Sequence, residues 1–182
     1  MVGKTSGATT KDSHAILMEH VGASVVERAM AKVPESERWE YENATSLSWI
    51  RCECVEQVYE AVAEEAGMSV EALQRHVVRA GVDRTFGTLW RLLLRFTTDN
   101  ALITRTPLFY KRAFDTGKLE SRMVDEGRAE IVMRGWREIS DFHLRGLMLG
   151  IQCVLERAGR RNVLMRPTRT RDGVRIEASW TW

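Results

Sequence analysis

The sequence predicts an α+β fold: a helical N-terminal half, then β-β-α-β-β with a twisted antiparallel sheet covered by helices. Three observations carry this. Up to Phe96, apolar residues recur at spacings of three and four, the period of an amphipathic helix. From Arg128 the period becomes two, with Ala129, Ile131 and Met133 alternating with Arg128, Glu130 and Arg134. Two turn signals, Asp125-Glu126-Gly127 and Arg171-Asp172-Gly173, flank one further long helical pattern.

Residues 1–12 are polar and read as a disordered tail. A helix is expected from His14 to Lys32, ended by Val33-Pro34, since the residue before proline leaves the helical region. A polar connection follows from Glu35 to Ser48. Trp49 opens a second helix with Ile50, Val55, Val58, Tyr59 and Val62 on its apolar side. Gly67 stops it and Ser69 caps the next, which runs to Ala80. A fourth helix spans 82–97 and a fifth starts at Asp99, with Pro107 inside it as a kink or restart.

The turn 115–118 leads into strands at Leu119–Val124 and Arg128–Trp136. Ser140 or Asp141 caps a long helix to Ala158, stopped by Gly159. Strands at Asn162–Thr168 and Val174–Trp182 close the chain. In the last, Val174, Ile176, Ala178, Trp180 and Trp182 share one face, the pattern of a half-buried antiparallel strand. The domain reading is a tail at 1–12, an N-terminal helix and connecting segment at 13–48, and an α+β domain at 49–182.

The chain has 182 residues, 44% hydrophobic and 29% charged, ordinary globular composition that argues against disorder. Net charge is only +2, so no global field marks a nucleic-acid binder. Helix–Ala80-Gly81-Val82–helix resembles a helix-turn-helix outline. Its second helix, rich in Leu, Phe and Trp, is too apolar for a major groove, and no nucleic-acid partner is expected. Arginine supplies 22 of the 27 basic side chains, and there are 6 Trp. The Arg excess fits either a GC-rich genome or recognition of carboxylate or phosphate by planar, permanently charged groups.

No apolar stretch reaches the length of a membrane span, and the N-terminus lacks a secretory pattern. Reduced thiols in a cytoplasmic protein are therefore expected for Cys52, Cys54 and Cys153. Cys52-Glu53-Cys54 is not a Cys-x-x-Cys motif. On a helix its thiols point about 200° apart, so no metal site is expected.

No nucleophile elbow, phosphate loop or dinucleotide fingerprint occurs, and the four His are scattered. No catalytic residue is assigned and no enzyme is expected. The candidate binding residues are aromatic or arginine. Arg84, Thr88, Arg91 and Arg95 recur along one helix face, and Arg beside Trp90 is a recurrent stacking pair. Arg105 and Tyr110 lie near the Pro107 kink. Trp136 ends a strand. His143, in the first turn of the long helix, feels the positive end of its dipole, which favours neutral imidazole. The candidate ligand site is thus Trp90, Arg91, Arg95, Arg105, Tyr110, Trp136 and His143, mostly apolar with few polar groups. Trp180 joins it on the last strand. Arg160, Arg161, Arg166, Arg169, Arg171 and Arg175 form a C-terminal basic patch, suited either to an acidic partner or to blocking a strand edge.

The order of several motifs carries a resemblance. These are Leu89-Trp90-Arg91, Thr106-Pro107-Leu108-Phe109-Tyr110, Phe114-Asp115-Thr116-Gly117, Gly135-Trp136, Phe142-His143-Leu144-Arg145-Gly146 and Ala178-Ser179-Trp180. From Trp49 onward the chain resembles uncharacterised bacterial proteins, many of them myxobacterial, related to the 4-vinyl-reductase domain. That superfamily also holds heme–nitric-oxide-binding sensors and the TRAPP vesicle-tethering subunits. The resemblance implies helices on an antiparallel sheet, an apolar cavity between the layers, and small-molecule sensing or scaffolding. It also implies dimerisation through N-terminal helices, a role that would fall to 13–48. The heme sensors use a helical His and a Tyr-x-Ser-x-Arg clamp. This chain has no such clamp, and cysteines common in 4-vinyl-reductase domains are missing, so no cofactor is expected. The expected function is a non-enzymatic, homodimeric sensory module for an unidentified small molecule or lipid. The alternative is a TRAPP-like adaptor with a protein partner.

Overall fold

The computed structural model describes residues 3–85 and 96–182. Two compact units divide the chain. A helical unit comprises Val2–Gly81 with Ala113–Asp115. A sheet unit comprises Val82–Arg112 and Thr116–Trp182. The division falls near residue 81, so the helix after Trp49 belongs to the helical unit rather than to the sheet.

The helical unit starts with β1 (Lys4–Ser6), which pairs antiparallel with β2 (Trp49–Arg51). The expectation of a disordered tail is corrected here. Thr5, Ser6 and Thr10 are buried, and Thr5 Oγ1 donates to the Ala113 carbonyl at 3.0 Å. A polar segment can be ordered when its hydroxyls satisfy backbone groups, which hydrophobic patterning does not register. Ser6 caps α1 (Gly7–Val21), its Oγ accepting from Thr9 N at 3.2 Å.

The single helix expected over 14–32 is two, α1 and α2 (Ala23–Lys32), divided at Gly22 with φ +91°. Only glycine takes that backbone without strain. The stretch read as a polar connection contains α3 (Glu35–Glu42), and Trp49 opens β2 rather than a helix. Then come α4 (Cys52–Glu65) and α5 (Val70–Thr85), the latter running through Gly81 without the predicted break. Leu17, Val26, Val58, Val62 and Leu73 form the centre of this unit's core. Ion pairs bind its helices at the rim: Arg28 to Glu65 at 2.6 Å, and Arg51 to Glu40 at 2.6 Å.

The sheet unit contains α6 (Asp99–Ala113), which spans Pro107, then β3 (Lys118–Asp125), β4 (Arg128–Arg134), α7 (Asp141–Arg157), β5 (Arg161–Arg169) and β6 (Gly173–Thr181). The four strands form an antiparallel sheet in the order β3-β4-β6-β5. Register sets Met133 opposite Val174, Ile131 opposite Ile176 and Ala129 opposite Ala178. All six are buried, so the period-two pattern read from sequence is the core face. The opposite face carries charge: Arg122 pairs across to Glu130 at 2.8 Å, and Arg175 approaches the same carboxylate at 3.3 Å. Ser121 Oγ donates to the Ile103 carbonyl at 2.6 Å and fastens α6 to the β3 edge. Ser140 caps α7 as predicted, accepting from His143 N at 3.3 Å. The α+β architecture and the succession of strands and helix beyond residue 98 match expectation.

Candidate functional site

Three of the predicted site residues come together in the sheet unit. Tyr110, near the end of α6, is buried and turns its hydroxyl to the Thr116 carbonyl, with Met133 Sδ at 3.4 Å. Trp136 follows β4 by one short turn and is also buried. Gly117, at φ +75°, lies between them. A Cβ there would stand 2.9 Å from the Arg134 carbonyl oxygen, 3.1 Å from Trp136 Cβ and 3.3 Å from Tyr110 Oη. His143, in the first turn of α7, completes the group. Its ring lies 6.4 Å from that of Trp136 and 5.0 Å, edge to face, from that of Phe142, and it is only 6% exposed. These side chains make an aromatic wall with a hydroxyl and an imidazole embedded in it.

Other predicted residues are placed differently. Arg105 is exposed on the solvent side of α6. Trp90, Arg91 and Arg95 lie outside the described residues. Trp180 is buried, and its indole N–H donates to Asp99 Oδ2 at 3.0 Å.

A polar centre that the sequence reading missed surrounds that aspartate. Arg160 belongs by sequence to the C-terminal basic patch, yet its side chain is 0% exposed and its Nη2 lies 2.6 Å from Asp99 Oδ1. The guanidinium also donates to the carbonyls of Thr97 and Ala158, and it stacks on Trp182 with 4.1 Å to the ring centroid. The patch is dispersed further. Arg169 donates to the Ile139 carbonyl at 2.6 Å and pairs with Asp141, while Arg161, Arg166 and Arg171 stay exposed. Nothing in the sequence separates Arg160 from Arg161. Only the position directly after Gly159, where a chain leaving a helix turns inward, offers a signal.

In the helical unit, His14 and Tyr41 meet edge to face with ring centroids 5.7 Å apart. His14 Nδ1 and Tyr41 Oη are buried without a hydrogen-bond partner among the described residues. Burial holds the His14 imidazole below its usual range, partly offset by Glu42, and raises the Tyr41 phenol. The Cys52 and Cys54 thiols are buried, and desolvation pushes each up to about 12, so neither ionises near neutrality.

No family sequence model matches the chain, and no curated protein matches it by sequence. Solved structures do match it by fold. An Fe(II) unliganded H-NOX protein from K. algicida superposes with a TM-score of 0.67 at 11% identity, covering 97% of both chains. An H-NOX structure described as probing heme distortion gives 0.64 at 18% identity, covering 96% of this chain and 94% of the other. An oxygen-binding H-NOX domain related to soluble guanylate cyclases gives 0.60 at 18% identity, covering 96% and 91%. Of the three groups that the sequence resembles, these structures share the fold of the heme–nitric-oxide-binding one and leave the 4-vinyl-reductase and TRAPP labels unconfirmed.

A heme needs an axial donor and polar groups for its carboxylates. His143 is the one histidine in the sheet unit's sequence, and its ring is packed by Trp136 and Phe142. Helix α6 carries no histidine, and residues 86–95 hold no His, Cys, Met or Tyr. The inward positions of β4 are Ala129, Ile131 and Met133, all buried and none able to hold a carboxylate. Tyr110 has its hydroxyl on a backbone carbonyl. Among the described residues, neither the histidine nor the tyrosine of the sheet unit is presented for an axial bond, Cys153 is a buried thiol within α7, and β4 offers no polar group inward for a heme carboxylate, so these residues do not fit a heme. The chain has the fold of the H-NOX domains.

Proposed function

We propose that this chain is a non-enzymatic sensory or binding module that takes a small apolar or anionic molecule other than heme. The observation that carries the reading is the packing of Tyr110 and Trp136 about Gly117, with His143 set against Trp136. It occurs on a fold whose solved members include an oxygen-binding domain. The ligand lies against that aromatic wall. Arg91 and Arg95 are the proposed anion contacts, with Trp90 as a further aromatic surface. Such a site is mostly apolar with few polar groups. The working form is a homodimer and the compartment cytoplasmic. Among the described residues, no helix is long and apolar enough to cross a membrane.

Native mass spectrometry of the purified chain tests this directly, because a retained small molecule adds a defined mass. Protein purified from hemin-supplemented cells is expected to lack a Soret band. An empty protein with no thermal shift across a metabolite and lipid panel overturns the ligand reading, and a stoichiometric Soret band overturns its heme-free form.

A second reading, a protein-interaction adaptor, rests on a separate observation. In the helical unit Trp39, Leu47 and Trp49 are 66%, 93% and 40% exposed, a large apolar display for a free surface. A stoichiometric protein partner lost with Trp39→Ser would favour it.

A further inference from the structure

Two of the four histidines meet within the helical unit. His20 is in the last turn of α1 and His76 near the middle of α5. Their rings lie face to face, with centroids 3.5 Å apart and planes inclined by only 12°. Both residues are exposed. We propose that His20 and His76 form a surface site for a divalent transition-metal ion, with Cu2+ the preferred occupant.

The argument is chemical and geometric. Neutral imidazole is a good ligand for copper, zinc and nickel, and two such groups from different helices chelate better than either alone. At metal–nitrogen bonds of ~2.0–2.1 Å, two nitrogens on one ion stand about 3 Å apart, close to the ring separation already in place. In a parallel stack the lone pairs run side by side rather than converging. The rings must therefore hinge apart at one edge, which exposed side chains can do without disturbing the core. Solvent supplies the remaining coordination positions. Arg75 and Arg79 flank His76 in α5 and Glu19 precedes His20. The two arginines oppose any dication alike, so the preference for copper over zinc comes from its higher intrinsic affinity for nitrogen donors. Magnesium and calcium prefer oxygen donors and are not expected to bind.

The test is titration of metal-free, untagged protein with CuCl2, ZnCl2 and MgCl2 at pH 7.5, read by calorimetry and, for copper, by electron paramagnetic resonance. One equivalent of Cu2+ is expected, with nitrogen hyperfine structure from two imidazoles. Zn2+ should bind at least tenfold more weakly and Mg2+ not at all. His20→Gln and His76→Gln should each weaken copper at least tenfold while leaving the far-ultraviolet circular dichroism unchanged, since both side chains are exposed. If either His20 or His76 can be replaced with no change in copper affinity, or if the copper spectrum lacks two nitrogen ligands, the site does not exist. Neither result depends on whether a small molecule binds at the Tyr110–Trp136–His143 group.

Discussion

The Arg160 guanidinium and the Asp99 carboxylate form an enclosed ion pair, 2.6 Å apart, with the arginine side chain fully buried. One carboxylate oxygen takes the guanidinium and the other takes the Trp180 indole N–H. The remaining guanidinium donors go to the Thr97 and Ala158 carbonyls, and Trp182 covers its face. The start of α6, the end of α7 and the last strand thus share one polar centre. A charge in this position is stable only while every partner is present.

Replacing Arg160 by Ala should cost about 3–5 kcal/mol of folding stability, because it leaves Asp99 desolvated and uncompensated. Urea denaturation measures this. The Asp99→Ala, Arg160→Ala double variant should lose clearly less than the sum of the singles, since neither charge is then left alone. Arg160→Lys should rescue little, because an ammonium cannot reach three acceptors as a planar fork does. A single-variant loss below about 1 kcal/mol, the range of exposed pairs, would show that the centre is open to solvent.

Two glycines separate backbone strain from crowding. Gly22 and Gly117 both have positive φ, 91° and 75°. A Cβ at Gly22 meets nothing within 4 Å, whereas one at Gly117 meets the Arg134 carbonyl at 2.9 Å and Trp136 Cβ at 3.1 Å. Gly22→Ala should cost about 1–3 kcal/mol from conformation alone, because positive φ with ψ 147° is open almost only to glycine. Gly117→Ala should cost more, read as a lower urea midpoint. Equal losses at the two sites would contradict the packing described around Gly117.

Tyr110→Phe removes the hydroxyl that satisfies the buried Thr116 carbonyl. The expected loss is about 0.5–1.5 kcal/mol, the net worth of one hydrogen bond. A lowered melting temperature without loss of secondary structure would report it. No change in melting temperature would mean that water replaces the hydroxyl.

The pH dependence follows from His14. Burial lowers its folded pKa below the ordinary 6.5, so the unfolded chain binds more protons as the medium becomes acidic. Stability should be full above about pH 6.5 and fall as pH drops below it. His76, shifted the same way, adds to this slope. The paired carboxylates Glu40, Glu65 and Glu130 are held below 4.5 and contribute only at lower pH. Urea midpoints at pH 7.5 and 5.5 should therefore differ, and His14→Gln should shrink the difference. An unchanged difference would place the acid sensitivity elsewhere.

Cys52 and Cys54, each pushed up to about 12 by burial, should resist a thiol-reactive disulfide reagent at pH 8 in native protein and react fully in denaturant. Rapid native labelling of both would contradict their enclosure.

The sequence by itself determined the periodic part of this protein. The alternation of Ala129, Ile131 and Met133, and of Val174, Ile176, Ala178 and Trp180, set the buried face of the sheet, because a strand's two faces follow directly from residue parity. Ser140 and Gly159 bounded α7 because capping is local chemistry. Tyr110, Trp136 and His143 could be named as candidates from aromatic content and position. Tertiary structure decided the rest. Residues 4–12 are ordered because a distant strand, β2, pairs with β1, and no local pattern encodes a partner more than 40 residues away. His20 faces His76 because the fold brings side chains of α1 and α5 together, across a separation in sequence that spacing rules do not reach. Arg160 is buried while Arg161 is exposed because Asp99, Trp180 and Trp182 converge on one of two adjacent arginines. Composition counts charges, but whether a charge is solvated or enclosed depends on what the fold brings to meet it.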